Sequence, residues 1–156
     1  MKKLIIPLLV VCLISVPVKA GANDTWIPEN QQELCKSIGE EYGICPELLM
    51  AIIEKESSGQ MSATNGSCYG ICQINGAVHG YDYDTEEKQI RKACELLLYY
   101  DCEVDEALAK YNGQKNPHYD GYVEQVLTRS HELELIHYGQ EVMKQVQEEP
   151  REASVY

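Results

Sequence analysis

Residues 46–59, "PELLMAIIEKESSG", decide the fold. Pro46 suits the first turn of a helix, where its missing N–H is one of the unpaired donors anyway, and good helix formers follow as far as Glu56. Ser57, Ser58 and Gly59 then break the pattern. At about 100° per residue, Leu48, Leu49, Ile52 and Ile53 centre an apolar stripe, and Glu56 falls within about 10° of that centre. Glu54 falls on the opposite side and is expected to be a solvated charge. Glu56 is thus presented at the helix end toward the interior. A carboxyl partly withdrawn from water has its pKa raised, which lets it hold a proton as a general acid, and the negative end of the helix dipole acts in the same direction. The plainer alternative is an ordinary surface or capping glutamate.

Working outward, Leu34, Ile38 and Tyr42 recur at four-residue steps in a first helix over 29–42, which Gly43 ends. The stretch 57–83 is rich in glycine, with Gly59, Gly66, Gly70, Gly76 and Gly80, and only "YGICQI" offers a short apolar run. A structured loop of this length in a small domain is more often functional than idle. Helical signals return after Thr85 with the stripe Ile90, Ala93, Cys94, Leu97 and Leu98, and a shorter helix is expected over 102–110. "YNGQKNPHYDG" (111–121) interrupts the chain before a final helix from Tyr122 to about Gln147, whose second half reads as polar. No run alternates with the two-residue period of a strand. The expected fold is mainly α, with one glycine-rich loop region and little or no β.

The 156 residues fit one domain. Lys2 and Lys3, the apolar run 4–18 and Val18-Lys19-Ala20 read as an export signal over 1–20, followed by a domain over 21–130 and an acidic C-terminal helix and tail over 131–156. A retained anchor fits less well, because the run is short and holds Pro7 and Pro17. A lipoprotein reading at Cys12 is disfavoured by the bulky Val11 before it. The formal net charge is −12, and removal of the leader lysines would make it more negative. Such a chain is not expected to seek nucleic acid or, once the signal is gone, an anionic membrane.

Six cysteines lie beyond the leader: Cys35, Cys45, Cys68, Cys72, Cys94 and Cys102. An even number in a small exported domain is read as three disulfides, with the pairing left open. A zinc site from Cys68, Cys72 and His79 is the sharper alternative, but paired C-x2-C spacing is lacking. No metal site is expected.

The segments "IIEKESSG", "NGSCYGICQIN", "ALAKYNG" and "YVEQVL" follow one another with the order and approximate spacing of the soluble lytic transglycosylase family, relatives of goose-type lysozyme. From about Leu34 to Leu127 the chain resembles that family, and within it the small secreted muramidase-like proteins. The resemblance implies a lysozyme-like helical domain that cleaves the β-1,4 bond between N-acetylmuramic acid and N-acetylglucosamine in peptidoglycan, with Glu56 as acid and then base. It also implies a cleft built from Ser57, Ser67, Tyr69, Gly70, Gln73, Tyr111, Asn112 and Tyr122. Ser57 is read as shaping the turn rather than reacting, and Ser67 equally as a sugar contact or a plain turn serine. Gln73 is read as a sugar-binding amide, Tyr111 and Asn112 as the loop facing Glu56, and Tyr122 as either a core aromatic or a ligand contact. The chain departs from the family at Ile71-Cys72, where Leu-Met is usual, so the shape of that subsite is open.

Ordinary glycoside hydrolysis uses two carboxylates, and here only Glu56 is an obvious candidate. Asp82, Asp84 and Asp120 are weaker candidates for a second. One carboxyl suffices if the muramic acid's own C6 hydroxyl attacks, giving a 1,6-anhydro product, so a transglycosylase is favoured over a hydrolytic lysozyme. Neither route needs a cofactor. A non-catalytic wall-binding component of a secretion or conjugation apparatus is the alternative of a different class, and such an apparatus is the one partner considered besides the glycan strand.

Overall fold

A computed structural model describes residues 25–113 and 121–148. The expected leader, Asp120 and the last residues of the tail lie outside the described residues. The chain is mainly helical. Helices α1 (Glu29–Tyr42) and α2 (Pro46–Ser57) are followed by strands β1 (Thr64–Asn65), β2 (Cys68–Tyr69) and β3 (Ile74–Asn75), then α3 (Gly76–His79), α4 (Glu86–Tyr99), α5 (Val104–Tyr111) and α6 (Gly121–Glu148).

Local chemistry sets the boundaries. Gly43 closes α1 at φ 68°, a left-handed conformation that costs glycine little, and Pro46 opens α2 after a two-residue link. Ser58 ends α2 in the same left-handed region, at φ 53°. The glycine-rich stretch is a small three-stranded antiparallel sheet in the order β1-β2-β3, its strands only two residues long, which is why no alternation is visible in the sequence. Thr85 caps α4 by accepting from the Lys88 N–H.

Helix α2 is the centre of the molecule. It packs against α1 and α6, and Leu48 to Ile53 are all buried, whichever way they point. A helix apolar all round belongs inside. Around it, Ile27, Cys35, Ile38, Ile71, Ile74, Ile90, Cys94, Leu108, Val126 and Leu133 complete one core. Among the described residues no helix is long and apolar enough to cross a membrane.

The central place of α2 corrects one expectation. Glu54 is not a solvated charge, because its side of the helix is covered by α6 and by the segment before α1, and its side chain is only 7% exposed. The six expected disulfide partners are free thiols here, with Cys35, Cys72 and Cys94 buried in the core. Burial pushes the Cys94 thiol up to about 12, and it raises Cys35 and Cys72 as well.

Candidate active site

The end of α2 carries Glu56 to the boundary between the core and the glycine-rich loop, where it is half-buried. Burial raises its pKa above the ordinary 4.5, a shift opposed in part by a hydrogen bond from Tyr122 and by the charge of Lys55. The Tyr122 hydroxyl, from the first turn of α6, donates to Glu56 Oε1 at 2.6 Å. Tyr111 is the third member: its hydroxyl donates to the Cys72 carbonyl at 2.6 Å, and burial first, then the charges of neighbours including Glu56, raises its pKa. The Cys72 thiol also feels the Glu56 charge. Residues from α2, the β2–β3 turn, α5 and α6, far apart in the chain, therefore meet around one carboxyl.

The remaining expected residues build the wall of this site more than its floor. Ser57 Oγ donates to the Ile71 carbonyl at 2.8 Å and accepts from the Gly59 and Gln60 N–H groups at 3.1 and 3.2 Å, so it ties the end of α2 to the loop. Ser67 Oγ donates to Asn75 Oδ1 at 2.9 Å, and Asn75 caps α3. Tyr69 donates to the Gly80 carbonyl and accepts from the Tyr83 N–H, with its ring 5.4 Å from that of Tyr81. Gln73, at φ 49°, donates its amide to the Ala63 and Gly70 carbonyls at 3.1 and 2.9 Å. That amide clamps the loop. Asn112 is exposed at the end of α5.

Gly70 is needed for close approach as well as for its φ of 79°. A Cβ there would lie 2.4 Å from the side chain of Gln89. Gln89 is the residue the sequence reading missed. Fully buried on α4, it accepts from the Cys72 N–H at 3.2 Å and donates to the Tyr83 carbonyl at 2.9 Å, holding the loop down on the core. The available signal was a glutamine at position 89 within the apolar face formed by Ile90, Ala93 and Leu97.

A comparison with protein-family models, with curated proteins and with solved structures finds no match to this chain. The site is therefore read from its own geometry. Of the weaker second carboxylates, Asp84 is paired with Lys88 at 2.6 Å, which holds its pKa down, and Asp82 is exposed. Among the described residues, no group of three or more His, Cys, Asp and Glu side chains is arranged to hold a metal ion, so Cys68, Cys72 and His79 do not form one.

On the far side of α2, Glu54 has the opposite surroundings. Burial alone would raise its pKa, but the Arg129 guanidinium, the Thr25 hydroxyl and the Trp26 N–H together hold it below 4.5. Arg129 grips it with two bonds, Nε to Oε2 at 2.7 Å and Nη2 to Oε1 at 3.2 Å. A shallow groove bordered by Trp26, Lys55, Gln125 and Arg129 lies beside this pair.

Proposed function

We propose that the chain is a peptidoglycan-cleaving muramidase of the lytic transglycosylase type, acting outside the cytoplasm through Glu56. The observation that carries the reading is a half-buried carboxyl at a helix end, its pKa raised by burial and its Oε1 bonded by the Tyr122 hydroxyl. In the first step Glu56 donates its proton to the glycosidic oxygen as the bond to the muramic acid C1 breaks. The resulting carboxylate then takes the proton of the C6 hydroxyl, whose oxygen bonds to C1 and closes the 1,6-anhydro ring. No water enters, and Glu56 ends protonated as it began.

Tyr122 has two parts in this scheme: it fixes the carboxyl's orientation, and it stabilises the charge that Glu56 carries between the steps. Lysozyme-like architecture, the cleft roles of Tyr69, Gln73 and Tyr111, and the glycan strand as partner belong to the same proposal. The intramolecular route is favoured over hydrolysis because it needs only one carboxyl, while of the described candidates for a second Asp84 is paired with Lys88 and Asp82 is exposed.

The test is digestion of purified peptidoglycan by the wild type and by Glu56→Gln, with the released muropeptides identified by mass spectrometry. Anhydro-muropeptides from the wild type alone are expected. Products heavier by one water would replace the transglycosylase with a hydrolase, and release of no muropeptide by the wild type would overturn the enzymatic reading.

A further inference from the structure

Helix α6 carries two apolar faces. The first holds Tyr122, Val126 and Leu133, which are buried where α6 packs on α2 and α5. It is also tied to the body through Glu134, which accepts from Cys45 Sγ at 3.3 Å, and His137, whose Nδ1 lies 2.7 Å from Glu47 Oε1. From Tyr138 to Gln147 every residue is exposed, so the helix overhangs the domain by about 15 Å.

The second face runs along that overhang. Leu135, Tyr138, Val142 and Val146 are 60%, 73%, 38% and 63% exposed. At about 100° per residue they fall within an arc of about 80°, on the side of α6 opposite Leu133 and Val126. Leu135, Tyr138 and Val142 have the spacing of a coiled-coil seam, Leu135 and Val142 at one position seven residues apart with Tyr138 between them, and Val146 stands beside the next seam position, which Gln145 takes. One edge of the seam is acidic, with exposed Glu134 and Glu141, and Glu148 follows at the same interval in the sequence. Lys144 projects from the other side of the helix, about 180° from Leu135.

We propose that this stripe docks an amphipathic helix of a partner protein, one that carries lysine or arginine along the edge of its own apolar seam. Charge selects the occupant. The glutamates on the edge of the seam call for cations at the facing positions, as in paired helices generally. Among the described residues of α6, a second copy brings no lysine or arginine to that edge in either orientation, since Lys144 lies on the far side. An anionic lipid surface would be repelled by the same glutamates and by the chain's net charge of −12. A seam this short buries little area, so a weak, transient complex is expected.

The probes are two synthetic helices of three heptads with the same leucine and isoleucine seam, one flanked by lysine and one by glutamate. Fluorescence anisotropy with the full chain should show binding of the lysine helix and none of the glutamate helix. The double variant Leu135→Gln/Val142→Gln should weaken binding tenfold or more, and Glu134→Lys/Glu141→Lys should reverse the choice of helix. Glu141→Lys alone, which leaves the contact of Glu134 with Cys45 in place, should at least erase the preference. Unchanged far-UV circular dichroism and melting would show that the variants are folded. Binding of the lysine helix unaffected by the apolar substitutions would reduce the effect to bulk charge and overturn the proposal. No binding would overturn it as well, as would self-association in sedimentation that the apolar variant abolishes, which would give the stripe to a second copy.

Discussion

Glu54 and Glu56 stand two residues apart on one helix, yet the structure gives them opposite electrostatic surroundings. Glu54 meets a guanidinium, a hydroxyl and a backbone N–H, and its negative charge is fully answered. Glu56 is withdrawn from water and meets only a phenol and the charge of Lys55, which answer its own charge in part. The difference teaches that burial alone assigns no role to a carboxylate. The partners that burial brings with it do. Glu54 joins α2 to α6 and to the N-terminal segment, whereas burial at Glu56 favours the protonated form.

The sharpest break between the two is in activity. Glu56→Gln keeps an acceptor for the Tyr122 hydroxyl but has no proton to transfer, so cleavage of peptidoglycan should fall by a factor of about 100 or more, read as muropeptide release. The same substitution removes a poorly solvated carboxylate, and urea denaturation at neutral pH should show stability unchanged or raised by about 1 kcal/mol. Glu54→Gln should do the reverse. It takes from Arg129 the two-bond partner and leaves it the exposed Glu132, so it should cost about 1–2 kcal/mol in urea denaturation while leaving the activity of the folded fraction within a few-fold. Arg129→Lys keeps the charge but loses the two-bond grip, and about 1 kcal/mol is expected in the same assay.

The effect of pH separates the pair further. Glu54, with its folded pKa depressed, stabilises the fold above about pH 4.5, and that contribution is lost as pH falls through its lowered folded value. Glu56 has the opposite sign. Its folded pKa is raised, so the fold gains stability as pH falls through that value, and the penalty for its charge is present in full above it. The stability difference between wild type and either glutamine variant should therefore shrink in acid, from opposite directions. The smallest effect expected is that of Tyr122→Phe. Loss of the hydroxyl removes a bond that favours the carboxylate, so the alkaline limb of the rate profile, where Glu56 loses its proton, should move to higher pH.

Much of this was legible in the residues, and the gaps have physical causes. Periodicity placed α1, α2 and α4 because each has an apolar stripe at helical spacing, and the same angular reasoning turned Glu56 inward. It failed for Glu54 because a stripe argument assumes one wet side, and along Leu48 to Ile53 α2 has none. The unbroken run Leu48 to Ile53 was the available sign of a helix buried all round. The short strands escaped notice because two residues cannot display an alternation. The second half of α6 read as polar because histidine, glutamine and charged residues are interspersed all along it, yet Leu135, Tyr138, Val142 and Val146 share one line. Arg129 gave no signal of its own: only the packing of α6 on α2 brings it to Glu54, seventy-five residues away in the chain.

The most direct test of the contrast is a titration of both side-chain carboxyl carbons by 13C NMR, with the Glu54→Gln and Glu56→Gln variants supplying the assignments. The account predicts a Glu56 midpoint above 4.5 and a Glu54 midpoint below it in the folded protein. Midpoints in the reverse order, or a Glu56 that titrates at or below 4.5, would contradict it and remove the basis for treating Glu56 as the acid.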